Sequence, residues 1–341
     1  MSMRIIDAVH FCYPLSDVED ILLGVLFSRL SLRLLLIFRY RGSLTFQVPC
    51  GEKSIKGLGK GFGGQPFSKR VSPNVTERTI KMNNIFDTHC HYDDHWFDED
   101  RREVLDRVLG GGSVVSFVNH AATDEASALF GIENAKKYPN FYTSVGFHPE
   151  FASVLPQDWE AKLADLYEKA KATGKLTAIG EIGLDYHYDG YDRDKEIEVF
   201  EKQLDFAAEK DLPVIVHSRD ASQDTLDLLK KHGSRGVIHC FSGSAEVAKQ
   251  ALALGFYIGF TGVLAFNNAK KALKALAEVP MDRLVLETDC PYMAPPPYRG
   301  QRCESPMIAE VVKVVAAQKG LTEQQVCDMT CANAKRLYGI E

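Results

Sequence analysis

The run Asp87-Thr88-His89-Cys90-His91 places two imidazoles two residues apart, at the end of a short apolar stretch that begins at Ile85. Side chains alternate along a strand, so His89 and His91, with Asp87 one step earlier, are expected to point the same way. Two imidazoles side by side at a strand end are poor core material and good ligands for a divalent metal. A lone His-x-His pair carries little weight, so the reading depends on other strand ends supplying further donors. They do so in Gly146-Phe147-His148-Pro149, Gly180-Glu181-Ile182-Gly183-Leu184-Asp185-Tyr186, His217-Ser218-Arg219-Asp220, His239-Cys240-Phe241-Ser242-Gly243 and Glu287-Thr288-Asp289-Cys290-Pro291.

His89, His91, Glu181, His217, His239 and Asp289 together offer imidazoles and two carboxylates, a set suited to two divalent cations. Glu181 has two oxygens and falls midway through the series, so it can bridge both ions. Asp289 can hold one ion and take a proton from the attacking water. Two cations about 4 Å apart stabilise both the attacking and the leaving oxygen of an in-line displacement. The imidazoles favour zinc or manganese over magnesium, which prefers oxygen ligands and water.

Other polar residues near these strand ends have two readings each. Asp87 either orients an imidazole or bonds backbone at a strand end. His148 is expected to line the pocket rather than to bind metal. Arg219 either grips a phosphate or forms a structural ion pair. Tyr186 either stacks on a base or packs. Arg299, after Pro295-Pro296-Pro297, either reaches the substrate from the last loop or is a solvated arginine. His95, His120 and His187 are expected at the surface. No Ser or Cys nucleophile with a partner base is evident.

The elements that must position these donors are regular from Ile85 onward. Short apolar runs, rich in β-branched residues, lie at 85–89, 114–119, 141–147, 178–183, 214–218, 236–240, 257–260 and 284–287. Amphipathic stretches separate them, such as 98–109, 124–137, 158–171, 195–210, 245–254 and 268–278. Buried strands each followed by a helix imply a parallel sheet. Eight such units in about 250 residues predict a (β/α)8 TIM barrel, with its active site at the carboxyl ends of the strands. A doubly wound open sheet is the runner-up, but no Gly-x-Gly-x-x-Gly follows the first strand.

The composition, 45% hydrophobic and 25% charged over 341 residues, is that of a globular protein. Residues 1–80 hold 11 basic and 6 acidic side chains, and the remainder 29 and 40. The acidic main domain argues against non-specific nucleic-acid binding through a basic surface. The 8 cysteines form no Cys-x-x-Cys pair, which points to a reducing, cytoplasmic setting rather than a disulfide framework. Arg29 and Arg33 interrupt the early apolar runs, so no membrane helix is expected, and early acids fit a signal peptide poorly. Residues 1–81 are expected to be a poorly ordered or gene-model extension, with residues 82–341 the hydrolase domain.

The strand-end motifs, with Pro213-Val214-Ile215-Val216-His217-Ser218-Arg219 and Asn333-Ala334-Lys335-Arg336-Leu337-Tyr338, resemble those of the TatD family of metal-dependent deoxyribonucleases, within the amidohydrolase-like barrels. They follow the family's order over nearly all of residues 84–341. The resemblance implies a (β/α)8 barrel, a divalent-metal site that also admits magnesium, and 3′-to-5′ exonuclease action on single-stranded DNA, sometimes RNA. It also implies His89, His91, Glu181, His217, His239 and Asp289 as ligands. Glu181 stands where related barrels often carry a carboxylated lysine. The sequence departs from the family pattern at Glu150 and in the Tyr- and Asp-rich insert at 187–194. Two alternatives remain at this level: hydrolysis of another ester or amide, such as an aminoacyl-tRNA, and a non-catalytic nucleic-acid-binding scaffold. Protein partners are not readable from the sequence.

Overall fold

The structure, a computed structural model, describes residues 82–110 and 113–341, and the backbone of 20–28, 31–40 and 43–47. It divides into two units, Met1–Gly63 and Gly64–Glu341. In the first, β1 (Asp20–Ser28), β2 (Ser31–Tyr40) and β3 (Ser43–Gln47) form an antiparallel sheet in that order. The expectation of poor order meets these paired strands within 20–47 and otherwise lies outside the described residues.

In the second unit the described residues form an eight-stranded parallel sheet. Its strands are β4 (Ile85–Cys90), β5 (Val115–His120), β6 (Phe141–Val145), β7 (Leu176–Asp185), β8 (Val214–Arg219), β9 (Gly236–Ile238), β10 (Tyr257–Phe260) and β11 (Leu284–Leu286). They neighbour one another in chain order. The ends of the sheet meet where Asp289 N donates to His89 O (3.0 Å) and His91 N donates to Cys290 O (2.9 Å), which makes the barrel. Every run expected as a strand is present. The intervening helices are α1 (Arg101–Leu109), α2 (Glu125–Lys137), α3 (Trp159–Lys171), α4 (Arg193–Glu209), α5 (Ser222–His232), α6 (Ala245–Ala253), α7 (Lys270–Glu278) and α8 (Ile308–Lys319), with α9 (Glu323–Tyr338) last. Among the described residues no helix is long and apolar enough to cross a membrane.

Two apolar layers result, because each strand has an inner and an outer face. The outer layer lies between strands and helices. The smaller inner one joins Phe86, Ala178, Ile215, Val237, Tyr257 and Val285 to Leu337 and Tyr338 of α9. This helix closes the amino-terminal end of the barrel, and the Tyr338 hydroxyl donates to Thr88 O at 3.1 Å. Two residues further along the same strands come Thr88, Gly180, His217, His239 and Glu287. The apolar floor is thus directly succeeded by a polar layer. Gly180 is required there, since a Cβ would lie 2.6 Å from the Ile215 Cβ.

Strict alternation does not hold along β4. Asp87 pairs with Val118 and Cys90 with His120, so three residues advance against two. This bulge resets the facing of the side chains beyond Asp87. The expectation that Asp87 shares a face with both histidines is corrected accordingly.

Because Tyr338 plugs the barrel floor, Tyr338→Ala should destabilise the domain by about 3–5 kcal/mol. Tyr338→Phe, which loses only the hydrogen bond, should cost about 1 kcal/mol. Urea unfolding followed by circular dichroism measures both, and equal losses would contradict the packing role.

Candidate metal centre

Glu181, within β7 and almost fully buried, is the hub. Its Oε2 lies 3.2 Å from His89 Nε2 and 3.6 Å from His91 Nε2. Its Oε1 lies 2.9 Å from His217 Nδ1, 2.6 Å from His239 Nε2 and 3.6 Å from His148 Nε2. Asp289 Oδ1 completes the first side, 3.3 Å from His91 Nε2 and 3.7 Å from His89 Nε2. The His89 and His239 rings stack at 3.9 Å. All six residues expected as ligands therefore converge at the carboxyl end of the barrel.

The chemistry of this donor set fits divalent cations. His89 Nε2 and His91 Nε2 are 3.0 Å apart, so two ring nitrogens aim at one point. Donor triads that could each hold an ion are His89, His91 and Glu181, and His89, His239 and Asp289; His148 also stands beside Glu181 and His217. Glu181 gives one oxygen to each side, which suits a shared ligand.

Burial opposes a charged His91, yet the hydrogen bond to Asp289 and the Glu181 charge raise it to about 10. Burial likewise opposes charge on His217, and Asp185 and Glu181 override it to about 9. Burial would raise Asp289, but His91 and His89 draw it down to about 2. Burial also opposes charge on Glu181, and His239 and His89 hold its carboxyl well below the usual range. Burial and then the charge of His239 lower His89 to about 4. The centre thus combines ionised carboxylates with a compensating positive charge, a demand that metal ions also meet.

The remaining expected residues are placed as follows. His148 Nδ1 accepts the Glu150 N–H at 3.2 Å. In the neutral ring the proton then sits on Nε2, aimed at Glu181. His148 consequently lines the pocket as a hydrogen-bond donor, and burial keeps it neutral by lowering its pKa to about 3. Asp87 touches no imidazole. It accepts from Thr288 N (3.0 Å), Thr288 Oγ1 (2.6 Å) and His89 N (3.4 Å), and so fixes the seam that carries Asp289. Tyr186 packs: its hydroxyl donates to Asp224 at 2.7 Å and its ring stacks on Tyr191. Arg219 donates to the Tyr188 hydroxyl at 3.0 Å. Arg299 lies over Phe266, 4.1 Å from the ring centroid.

His95 and His187 are exposed, as expected. His120 is fully buried, which corrects the surface expectation. It lies against Phe130 of α2 and Phe141, and its Nε2 is 3.0 Å from the Ser127 carbonyl. Alternation at the end of β5 turns this ring under a helix rather than toward solvent.

Two carboxylates were missed as site residues. Asp185 Oδ2 is 3.0 Å from His217 Nε2, so it fixes the ring and keeps Nδ1 facing Glu181. Its signal was its place four residues beyond Glu181 on the same strand. Glu287, fully buried, accepts from the Cys240 N–H and lies near the unpartnered His239 Nδ1 (3.9 Å). Burial raises its carboxyl to about 8. Its signal was its position two residues before Asp289.

A parallel (β/α)8 barrel with this histidine and carboxylate cluster at its carboxyl rim defines an amidohydrolase-like hydrolase. Residues 86–339 match the family described as TatD related DNase. A Bacillus subtilis protein named uncharacterized metal-dependent hydrolase YabD is 38% identical over 259 residues, covering 75% of this chain and 99% of its own length. A Rahnella protein named 3′-5′ ssDNA/RNA exonuclease TatD is 32% identical, covering 72% of this chain and 94% of its own. The solved structure of YJJV, a TatD homologue of Escherichia coli K12, superposes with a TM-score of 0.71 at 29% identity, covering 76% of this chain and 99% of that one. The chain belongs to the TatD family of metal-dependent hydrolases.

Since Asp185 orients His217, Asp185→Asn should weaken divalent-cation affinity about 10- to 100-fold without unfolding the protein. Isothermal titration of the metal-stripped variant measures this, and wild-type affinity would contradict it.

Proposed function

We propose that this hydrolase cleaves phosphodiester bonds of single-stranded DNA or RNA from the 3′ end, using a pair of divalent ions held by His89, His91, Glu181, His217, His239 and Asp289. The supporting observation is the division of Glu181, one oxygen toward His89 and His91 and the other toward His217 and His239. The Rahnella relative that carries an exonuclease name supports the substrate class. Bound as a pair, the ions would supply Lewis acidity that activates water and neutralises charge on the phosphoryl group.

The chain's own groups do the rest. Asp289, ionised and facing the pocket at the seam, accepts the proton of the attacking water. Water oxygen forms the new bond to phosphorus while the bond from phosphorus to the O3′ of the preceding nucleotide breaks, and the departing O3′ takes up a proton from solvent as Asp289 releases its own. The His148 Nε2–H offers a hydrogen bond to a phosphoryl oxygen. The apolar floor built from α9 keeps bulk water from entering below. Imidazole-rich coordination favours zinc or manganese, with magnesium the third candidate.

The assay is metal-stripped protein with an end-labelled single-stranded oligonucleotide and magnesium, manganese or zinc added separately. A ladder shortening from the 3′ end is expected with at least one ion. Glu181→Ala should lower that rate at least about 1,000-fold while retaining wild-type circular dichroism. Absence of cleavage by a folded, metal-loaded wild type would transfer the chemistry to a carbonyl ester or amide.

On this reading the catalytic domain spans residues 82–341. Met82 is buried in the core, and Asn84 Nδ2 donates to Asp328 of α9 at 3.0 Å. A chain starting at Met82 should therefore keep kcat/KM within about twofold of the full chain. A loss of tenfold or more would assign residues 1–81 a part in activity.

A further inference from the structure

The loops around the metal centre carry most of the exposed large apolar side chains among the described residues. Among the described residues, Leu129, Val154, Tyr188, Tyr191, Tyr292 and Met329 are the large apolar side chains that stand well out. Val154, Tyr188, Tyr191 and Tyr292 follow β6, β7 and β11 at the rim of the site, whereas Leu129 and Met329 lie on α2 and α9. Apolar surface gathered beside a reactive centre marks where a ligand is covered.

Two of these rings are held in place by their hydroxyls. Tyr188 is 62% exposed; its hydroxyl accepts from Arg219 Nη1 at 3.0 Å, with the guanidinium 4.9 Å from the ring centroid. Tyr292 is 44% exposed, its hydroxyl donates to Asp94 Oδ2 at 2.7 Å, and its ring lies 5.8 Å from that of Trp96. The Tyr292 N–H donates to Asp289 O at 2.9 Å, which ties this ring to the seam of the metal centre. With each hydroxyl engaged and Arg219 over one side of Tyr188, the exposed remainder of each ring is the part left for a ligand. Tyr188 rises from the loop after β7, and Tyr292 from the loop after β11. Strand order puts β7 and β8 across the barrel from β4 and β11, so the two rings flank the centre.

We infer that Tyr188 and Tyr292 are stacking platforms for two bases of a single-stranded nucleic acid whose backbone crosses the metal centre between them. This rests on the nuclease reading and deepens it. The charge distribution favours stacking as the source of grip: residues 81–341 carry 29 basic against 40 acidic side chains, so the domain offers little general attraction for phosphate. Base stacking on aromatic rings needs no such charge and tolerates any sequence. Rings already fixed lose little freedom when a base settles on them.

The test is steady-state cleavage, with the working divalent ion, of an oligothymidylate of about ten residues and of an abasic strand of the same length and charge. For the oligothymidylate, Tyr188→Ala and Tyr292→Ala should each raise KM about tenfold and leave kcat within about twofold. The abasic strand should show a high KM in the wild type that neither variant changes. Tyr188→Trp and Tyr292→Trp restore a flat ring and should recover most of the loss, which separates stacking from misfolding. Equal KM values for the two strands in the wild type, or alanine variants with unchanged KM, overturn the platforms while the nuclease stands. A wild type that shortens neither strand with any ion overturns both readings.

Discussion

A carboxylate enclosed by imidazoles is the constraint around which the barrel is organised. Glu181 has almost no contact with water, and its charge is balanced only by groups from other strands. Removing those partners would leave a buried anion uncompensated, which proteins tolerate poorly. Its neighbours therefore come from β4, β8 and the turns after β6 and β9, and each must arrive with a nitrogen within a few ångströms. A parallel barrel provides that convergence, because every strand ends at the same rim. The small residue at Gly180 and the seam at Asp289 both serve the packing that keeps Glu181 central.

The electrostatics follow from the same enclosure. The domain is acidic overall, yet its centre holds its two carboxylates ionised against five imidazoles from four different chain segments. Raised protonation of His91 and His217 reflects the same demand for positive charge that metal ions meet. At Glu287 and Asp87, one layer away, burial prevails over the neighbouring groups that favour the charged form. Their carboxyls are lifted to about 8 and about 6, so they bear less negative charge than their number implies. Both accept backbone N–H groups at the seam and strand ends. They fix the geometry of the ligands instead of adding to their charge.

Around this rigid centre the rim has a different character. Arg219, read from sequence as a phosphate grip or an ion-pair partner, serves a tyrosine. Arg299 lies on its own loop's neighbour, Phe266. Tyr186 is occupied by Asp224 and Tyr191. The polar residues of the rim are largely engaged with one another. Family membership settles the chemistry as metal-dependent hydrolysis, whereas the loops carry the features that distinguish one substrate from another.

The sequence by itself determined the barrel and the centre. Strand and helix periodicities are local, so eight alternating units could be counted, and donors at strand ends share a rim once the sheet is parallel. That logic reached His89, His91, Glu181, His217, His239 and Asp289 together. What required the tertiary structure was every property set by partners distant in the chain. The bulge after Asp87 breaks an alternation that the sequence pattern presents as unbroken. His120 looks like a rim residue but turns beneath α2, because facing depends on pairing with β4 and β6. Asp185 and Glu287 resemble ordinary strand carboxylates until β8 and β9 bring His217 and His239 to them. A hydrogen bond between side chains tens of residues apart leaves no periodic trace in either segment, and only the closed barrel decides which ring meets which carboxylate.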